Sequence, residues 1–300
     1  MDGWSRPVLD AMRVRHWQKN LLVFLPLITG HEITNLRLIW LGGMAFMTFS
    51  LAASAGYLIN DLHDVEADRR HPTKRFRPLA AATIPASVAR GLVPVLLAVS
   101  VGVAWWRMPG MFVIALLSYI VASTAYSLVL KQILFLDVVV LTALYCLRII
   151  AGGIATGLFV SPWLLGLSLF FFLSLALLKR YVDLREFDGT GEPSIGRAYL
   201  PVDADILRSV GPASGYLSVF LLVLYINSDQ ARSLYESPSL LWLIGPLLIY
   251  WITRLWLLAN RGVVSDDVVE FASRDAVTYV VAGLTAVVLY AATVGLLPLR

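Results

Sequence analysis

Residues 38–60, LIWLGGMAFMTFSLAASAGYLIN, run without a break into Asp61-Leu62-His63-Asp64-Val65-Glu66-Ala67-Asp68-Arg69-Arg70 and then His71-Pro72-Thr73-Lys74-Arg75-Phe76-Arg77-Pro78. The first stretch carries no charge and matches the roughly 20 residues that a helix needs to cross about 30 Å of hydrocarbon. The second is dense in acid and then in base. A helix that leaves lipid and opens directly onto a charged surface is the plainest reading of this junction.

The rest of the chain repeats its apolar half. Of 300 residues, 58% are hydrophobic and 15% charged, and the mean hydropathy is +0.75, more apolar surface than a soluble domain of this length can bury. The apolar residues come in long blocks, and not in the alternating runs of a β-barrel. The expected fold is therefore all-α and polytopic, with nine spans near 17–30, 38–60, 86–106, 110–128, 134–155, 161–182, 206–226, 240–259 and 278–297. Pro26 is expected to kink the short first span. No linker or low-complexity stretch divides the blocks, so residues 1–300 are read as one membrane domain with its larger loops at 61–85, 183–205 and 260–277. The basic N-terminal segment lacks a signal-peptide cleavage site, so the chain is expected to be mature as it stands. Cys146 is the only cysteine, which excludes an internal disulfide and a thiolate metal cluster.

Charge gives the expected orientation. Of 24 Lys and Arg residues, nineteen fall in or beside the N-terminal segment and the loops after the second, fourth, sixth and eighth spans. Arg37, Arg107, Arg232 and Arg300 fall on the other side, and Arg148 lies inside a span. The positive-inside rule then places the N-terminus and all three charged loops in the cytoplasm. The net charge of +4 is a topology signal, and no nucleic-acid partner is expected.

If the second helix continues past its lipid exit, Asn60, Asp64 and Asp68 recur every four residues and form one stripe, with Asp61 beside them. Stacked carboxylates repel, here where the chain is just emerging from low dielectric, and a bound cation relieves that repulsion. Oxygen-only ligands suit Mg²⁺, which keeps waters and shares its remaining positions with substrate phosphates. Lys74, Arg75 and Arg77 add fixed positive charge, with Arg able to grip phosphate oxygens in a fork. A solvated basic loop obeying the topology rule accounts for the bases but not for acids at period four.

The pattern Asn60-Asp61-x-x-Asp64-x-x-x-Asp68 resembles the first acidic motif of the UbiA-type intramembrane prenyltransferases. The extension His71-Pro72-Thr73-Lys74-Arg75-Phe76-Arg77-Pro78 is similar to that of one branch, the decaprenyl-phosphate phosphoribosyltransferases. Near the N-terminus, His16-Trp17-Gln18-Lys19-Asn20 resembles the entry motif of that branch, although Trp17 and Lys19 read equally well as an interfacial anchor. Tyr126-Ser127-Leu128-Val129-Leu130-Lys131 resembles the element whose lysine faces the phosphate site. Residues 261–275 resemble a further stretch, with Val268 in place of a proline, which weakens any role carried over to Asp266 or Asp267.

The two branches separate at the second acidic motif. Aromatic prenyltransferases typically carry another DxxxD-like pattern after the sixth span. This chain has Lys179-Arg180-Tyr181-Val182-Asp183-Leu184-Arg185-Glu186-Phe187-Asp188, where Phe187 breaks the repeat after Asp183. Inside the membrane, Asp137 and Arg148 share one helix face, about 20° apart in azimuth and about 16 Å apart along the axis. Charges at that depth normally face a cavity or a partner, so this helix is expected to line the active-site chamber. Neither a Gly-rich phosphate loop, nor metal-spaced histidines, nor a nucleophile–base pair is visible.

The resemblance implies a UbiA-like bundle with a polar cavity facing the cytoplasm, in a bacterial inner membrane. It implies Mg²⁺ held by Asn60, Asp61, Asp64 and Asp68. Gln18, Lys19, Lys74, Arg75, Arg77, Tyr126, Lys131, Arg148, Lys179 and Arg180 would bind substrate. The implied reaction moves 5-phosphoribose from phosphoribosyl pyrophosphate to a polyprenyl phosphate, toward a lipid-linked pentose donor for cell-envelope polysaccharide. Prenyl transfer from a diphosphate to an aromatic acceptor, as in quinone or haem synthesis, is the first rival. A carboxylate-coupled transporter is the second, although its charges should cluster at mid-bilayer. Self-association into a homo-oligomer is compatible with the sequence.

Overall fold

The computed structural model describes residues 5–70, 73–187, 198–264 and 268–295, so His71, Pro72, Asp188, Asp266 and Asp267 lie outside the described residues. No strand occurs among the described residues. Among the described residues eight helices are long and apolar enough to cross a membrane, and the chain is a multi-pass membrane protein. They are α1 (Leu36–His63), α2 (Ala86–Arg107), α3 (Gly110–Leu128), α4 (Leu136–Thr156), α5 (Pro162–Phe187), α6 (Ala204–Ile226), α7 (Ile244–Asn260), which reaches spanning length together with the 3-10 helix Pro238–Leu243 before it, and α8 (Ala276–Val294).

Their starts are written in short-range chemistry. Asn35 precedes α1 and its side chain accepts from the Leu38 amide, and Asp275 does the same for Thr278 at the start of α8, each satisfying an amide that has no partner within the helix. Pro85, Pro109 and Pro162 stand at or just before the first turns of α2, α3 and α5, where proline's missing N–H costs nothing.

The expected first span differs. Among the described residues, 17–30 do not form a long α-helix: Val14–Phe24 is a 3-10 helix and Leu25–Thr29 a short α-helix. Pro26 sits in the first turn of that short helix and does not kink a longer one. A 3-10 helix rises about 2.0 Å per residue against 1.5 Å for an α-helix, so this segment is drawn out. Among the described residues the long helical spans number eight, where nine were expected.

The chain divides into two compact units, residues 1–160 and 161–300. In the first, Ala45, Phe49, Ala52 and Ala53 of α1 pack with Phe112, Leu116 and Tyr119 of α3 and with Leu144 and Ala151 of α4. Small residues let these helices approach closely, the usual basis of helix association in lipid. Ser100 of α2 donates to the Thr48 carbonyl of α1 at 2.8 Å. The 3-10 segment lies directly on α4, since a Cβ on Gly152 would stand 2.1 Å from the Val23 carbonyl oxygen.

In the second unit, α5 pairs with α6, and α7 contacts α6 and α8. Trp256 of α7 rests on Gly211 of α6, where an added Cβ would come 2.0 Å from its ring, and its indole N–H donates to Ser174 Oγ of α5 at 3.1 Å.

Lys131, between α3 and α4, reaches Asn60 and Asp64 at the end of α1. In the first unit the α1–α2 connection and the α3–α4 connection therefore share one end of the bundle, the end where Asp61 emerges. Trp40, Trp105 and Trp106 are exposed near the opposite ends of α1 and α2, as expected of an interfacial aromatic belt.

Candidate active site

Helix α1 stops at His63. Asp64 forms its C-cap, and a second short helix, Val65–Arg70, begins at once. The Asp64 amide still bonds to the Asn60 carbonyl at 2.9 Å and the Asp68 amide to the Asp64 carbonyl at 2.8 Å. The interruption nevertheless breaks the single stripe expected from period four. Two pairs of oxygens result. Asn60 Oδ1 and Asp64 Oδ2 converge on Lys131 Nζ at 3.3 and 2.6 Å. Asp61 Oδ1 and Asp68 Oδ2 converge on Arg77 Nη1 at 3.4 and 2.7 Å.

Asp61 and Asp68 are only 2% and 4% exposed. Carboxylates that deep need charge-balancing partners, and the fold brings those from three separate segments. Lys131 comes from the tight turn Leu130–Gln132 between α3 and α4. That turn closes through Phe135 at φ 65°, a left-handed conformation that a bulky residue adopts only when its surroundings enforce it. Arg77 follows the 3-10 turn Lys74–Phe76. Arg13 comes from the N-terminal segment, and its Nη2 lies 2.5 Å from Asp61 Oδ1.

Arg13 was not anticipated from the sequence, where it was one of several N-terminal basic residues. It sits at φ 50°, ψ 50°, in the left-handed turn that starts the 3-10 helix. Its guanidinium also stands 5.0 Å from the centre of the Tyr57 ring, within cation–π range.

The other expected site residues separate into groups. Lys19 Nζ contacts His16 Nδ1 at 3.5 Å, and the His16 ring meets Tyr57 edge-on at 5.6 Å, so Lys19 joins the cluster around Arg13. Trp17 donates to Ser54 Oγ of α1 at 3.0 Å, which ties it to the helix and replaces the interfacial-anchor reading. Gln18, Lys74 and Tyr126 are half-buried. Arg75 is exposed and lies over the Phe76 ring at 4.8 Å.

Arg148 is 6% exposed and donates to Asn20 Oδ1, the Leu144 carbonyl and the Tyr119 hydroxyl at 2.8, 2.5 and 2.9 Å. Asn20 in turn donates to Ser50 at 3.0 Å. Arg148 thus fastens the N-terminal 3-10 segment to α3 and α4 through neutral acceptors, a structural use of a residue expected to contact substrate.

Lys179 and Arg180 belong to α5 of the second unit. Arg180, 1% exposed, reaches Asp183 Oδ2 at 2.6 Å, while Tyr181 donates to Asn260 at 2.7 Å. In the same unit Asp275, the last acid of the stretch that resembles the family, receives two hydrogen bonds from Arg254 at 2.8 and 3.0 Å and two from Thr278 at 3.0 Å. Burial works to raise its carboxyl, but these bonds outweigh it and hold the group below its ordinary 3.8.

The donor chemistry suits a hard divalent cation. Each oxygen pair already closes around one positive nitrogen, and Mg²⁺ needs few protein oxygens when substrate phosphates and water complete its shell. Three carboxylates do not converge on a single point among the described residues.

The UbiA prenyltransferase family model matches residues 22–271. The chain belongs to the UbiA prenyltransferase family. The eight long apolar helices agree with that membrane family. A Mycolicibacterium smegmatis decaprenyl-phosphate phosphoribosyltransferase is 34% identical over 278 residues, 90% of this chain and 87% of that protein. The y4nM protein of Sinorhizobium fredii (strain NBRC 101917 / NGR234) is 38% identical over 290 residues, 94% of this chain. The chain spans only 55% of the length of y4nM. Among solved structures, a UbiA homolog from Archaeoglobus fulgidus bound to GPP and Mg²⁺ superimposes with a TM-score of 0.70 at 18% identity, over 96% of this chain and 99% of that one. This likeness establishes the UbiA fold.

Proposed function

We propose that this UbiA-family chain transfers 5-phosphoribose from phosphoribosyl pyrophosphate to a polyprenyl phosphate and releases pyrophosphate. The observation that carries the reading is the place of Arg77. It lies in the basic extension resembling the phosphoribosyltransferase branch, and it is bound to both Asp61 and Asp68, so that extension is built into the acidic site. The long match to the M. smegmatis phosphoribosyltransferase supports the same branch.

Asn60, Asp61, Asp64 and Asp68 would hold Mg²⁺. When bound, the metal supplies positive charge to the departing pyrophosphate. Arg13, Arg77 and Lys131 stand within reach of the same oxygens and would grip pyrophosphate and ribose phosphate. The bond from ribose C1 to the pyrophosphate oxygen breaks, and a bond from C1 to a lipid phosphate oxygen forms. Positive character develops at C1, and the surrounding carboxylates stabilise it. The attacking oxygen belongs to an ionised phosphate, so no strong general base is required.

The two units would act as one membrane domain, with the acidic end and the N-terminus facing the cytoplasm of a bacterial cell. The lipid phosphate would arrive from the bilayer and the soluble donor from the aqueous side, and the product would feed synthesis of a lipid-linked pentose donor. Purified protein supplied with Mg²⁺ and phosphoribosyl pyrophosphate should release pyrophosphate only when a polyprenyl phosphate is added. Release that depends instead on a prenyl diphosphate and an aromatic acid would replace this reading with prenyl transfer.

A further inference from the structure

Each carboxylate of the acidic site already has its own basic partner. Arg13 stands 2.5 Å from Asp61, Lys131 2.6 Å from Asp64 and Arg77 2.7 Å from Asp68. Formal charges therefore cancel within the cluster. A divalent cation entering by itself must displace two or three of these partners and leaves net positive charge beside two nearly buried carboxylates, an unfavourable exchange at low dielectric. A cation entering with a diphosphate brings the compensating negative charge with it.

From this balance we infer that metal loading at this site is conditional on an anionic phosphate ligand, and that Arg13, Arg77 and Lys131 are the switch. Each base leaves its carboxylate for a phosphate oxygen as the metal takes the carboxylate over. The inference rests on the metal-site reading of Asn60, Asp61, Asp64 and Asp68, but not on which pyrophosphate-bearing donor the enzyme uses.

Arg13 is the residue best placed to make the exchange. It is held to the site by the Asp61 contact and by the Tyr57 ring, 5.0 Å from its guanidinium, and it sits at a left-handed junction between a short α-helix (Ser5–Ala11) and an 11-residue 3-10 helix. Runs of 3-10 helix beyond three or four residues are uncommon and often mark a hinge. Lys131 bridges Asn60 and Asp64, whereas Arg77 bridges Asp61 and Asp68 and shares Asp61 with Arg13, so Asp61 is freed only when both arginines leave.

Binding measurements on the full-length protein test this without turnover. Mn²⁺ alone is titrated and followed by the loss of the free-ion electron paramagnetic resonance signal. Radiolabelled inorganic pyrophosphate is titrated separately, with and without Mn²⁺. The wild type is expected to take up Mn²⁺ weakly on its own and to retain pyrophosphate only with Mn²⁺ present. Arg13→Gln is expected to bind Mn²⁺ alone about tenfold or more tightly, since one charge-assisted contact no longer competes, and to hold Mn²⁺–pyrophosphate more weakly. Lys131→Gln should behave in the same way and serves if Arg13→Gln does not fold. Strong Mn²⁺ uptake by the wild type without pyrophosphate, or unchanged Mn²⁺ affinity in the folded variants, overturns the inference. Pyrophosphate is common to phosphoribosyl and prenyl donors, so the result stands apart from the choice between them.

Discussion

The guanidinium of Arg77 and the carboxylate of Asp68 meet at 2.7 Å across a separation of nine residues in sequence. This contact folds the basic extension back over the acidic helix end, and Arg77 reaches Asp61 from the same nitrogen. If Asp64 and Asp68 serve the metal and substrate, Asp64→Ala and Asp68→Ala should each lower kcat/KM by roughly 10²–10³-fold while the protein remains inserted and monodisperse. Wild-type turnover in both variants would remove the metal assignment.

Arg77→Ala should cost roughly ten- to a hundredfold in kcat/KM, the value of losing a charge-assisted contact of about 1.5–3 kcal/mol. Combined with Asp68→Asn it should cost less than the two single losses multiplied, because the residues share one contact. Steady-state kinetics on the four proteins of that cycle measures the coupling, and strict multiplicativity would separate the two residues functionally.

The eight long helices were legible because crossing lipid demands length and apolarity, which composition displays directly. The expected 110–128 span coincides with α3, and 86–106 misses α2 by one residue. Residues 17–30 misled because hydropathy does not distinguish 3-10 from α winding, and because Trp17 and Asn20 turn inward to Ser54 and Ser50. Asp61, Asp64, Asp68, Arg77 and Lys131 were named from spacing and resemblance, and the fold brings them together. Arg13 was not, since nothing local to residue 13 signals a left-handed turn that carries its side chain to Asp61. The contacts of Arg148 with Asn20 and Tyr119 were not legible, because a buried intramembrane charge looks alike in sequence whichever partner it meets.

Gly152 gives a prediction about the fold itself. Its missing side chain lets the Val23 backbone lie against α4, and a Cβ there would stand 2.1 Å from a carbonyl oxygen that no rotamer change can move aside. Gly152→Ala should therefore destabilise the first unit by about 1–3 kcal/mol through overpacking, visible as a lower melting temperature in detergent. Gly91→Ala, in the interior of α2 where an added Cβ meets nothing within 4 Å, is the matched control and should leave the melting temperature unchanged or slightly raised through helix propensity.

Asp275 should contribute a pH-dependent increment to stability. Arg254 and Thr278 hold its carboxyl below the ordinary 3.8, so the folded state favours the charged form more than the unfolded state does. That contribution is present in full above the unfolded value and is lost as pH falls through the lowered folded value. Melting temperatures between neutral pH and pH 3 should show a smaller acid loss for Asp275→Asn than for the wild type. Identical pH profiles would mean that the pair with Arg254 stores no linkage.

The central claim is tested most directly by incubating purified protein with phosphoribosyl pyrophosphate labelled in the ribose, a polyprenyl phosphate and Mg²⁺, then extracting lipid. Label should move into the organic phase in proportion to protein, require both polyprenyl phosphate and Mg²⁺, and vanish with Asp64→Ala. Label that stays in the aqueous phase, while the same protein prenylates hydroxybenzoate from a prenyl diphosphate, would contradict the account.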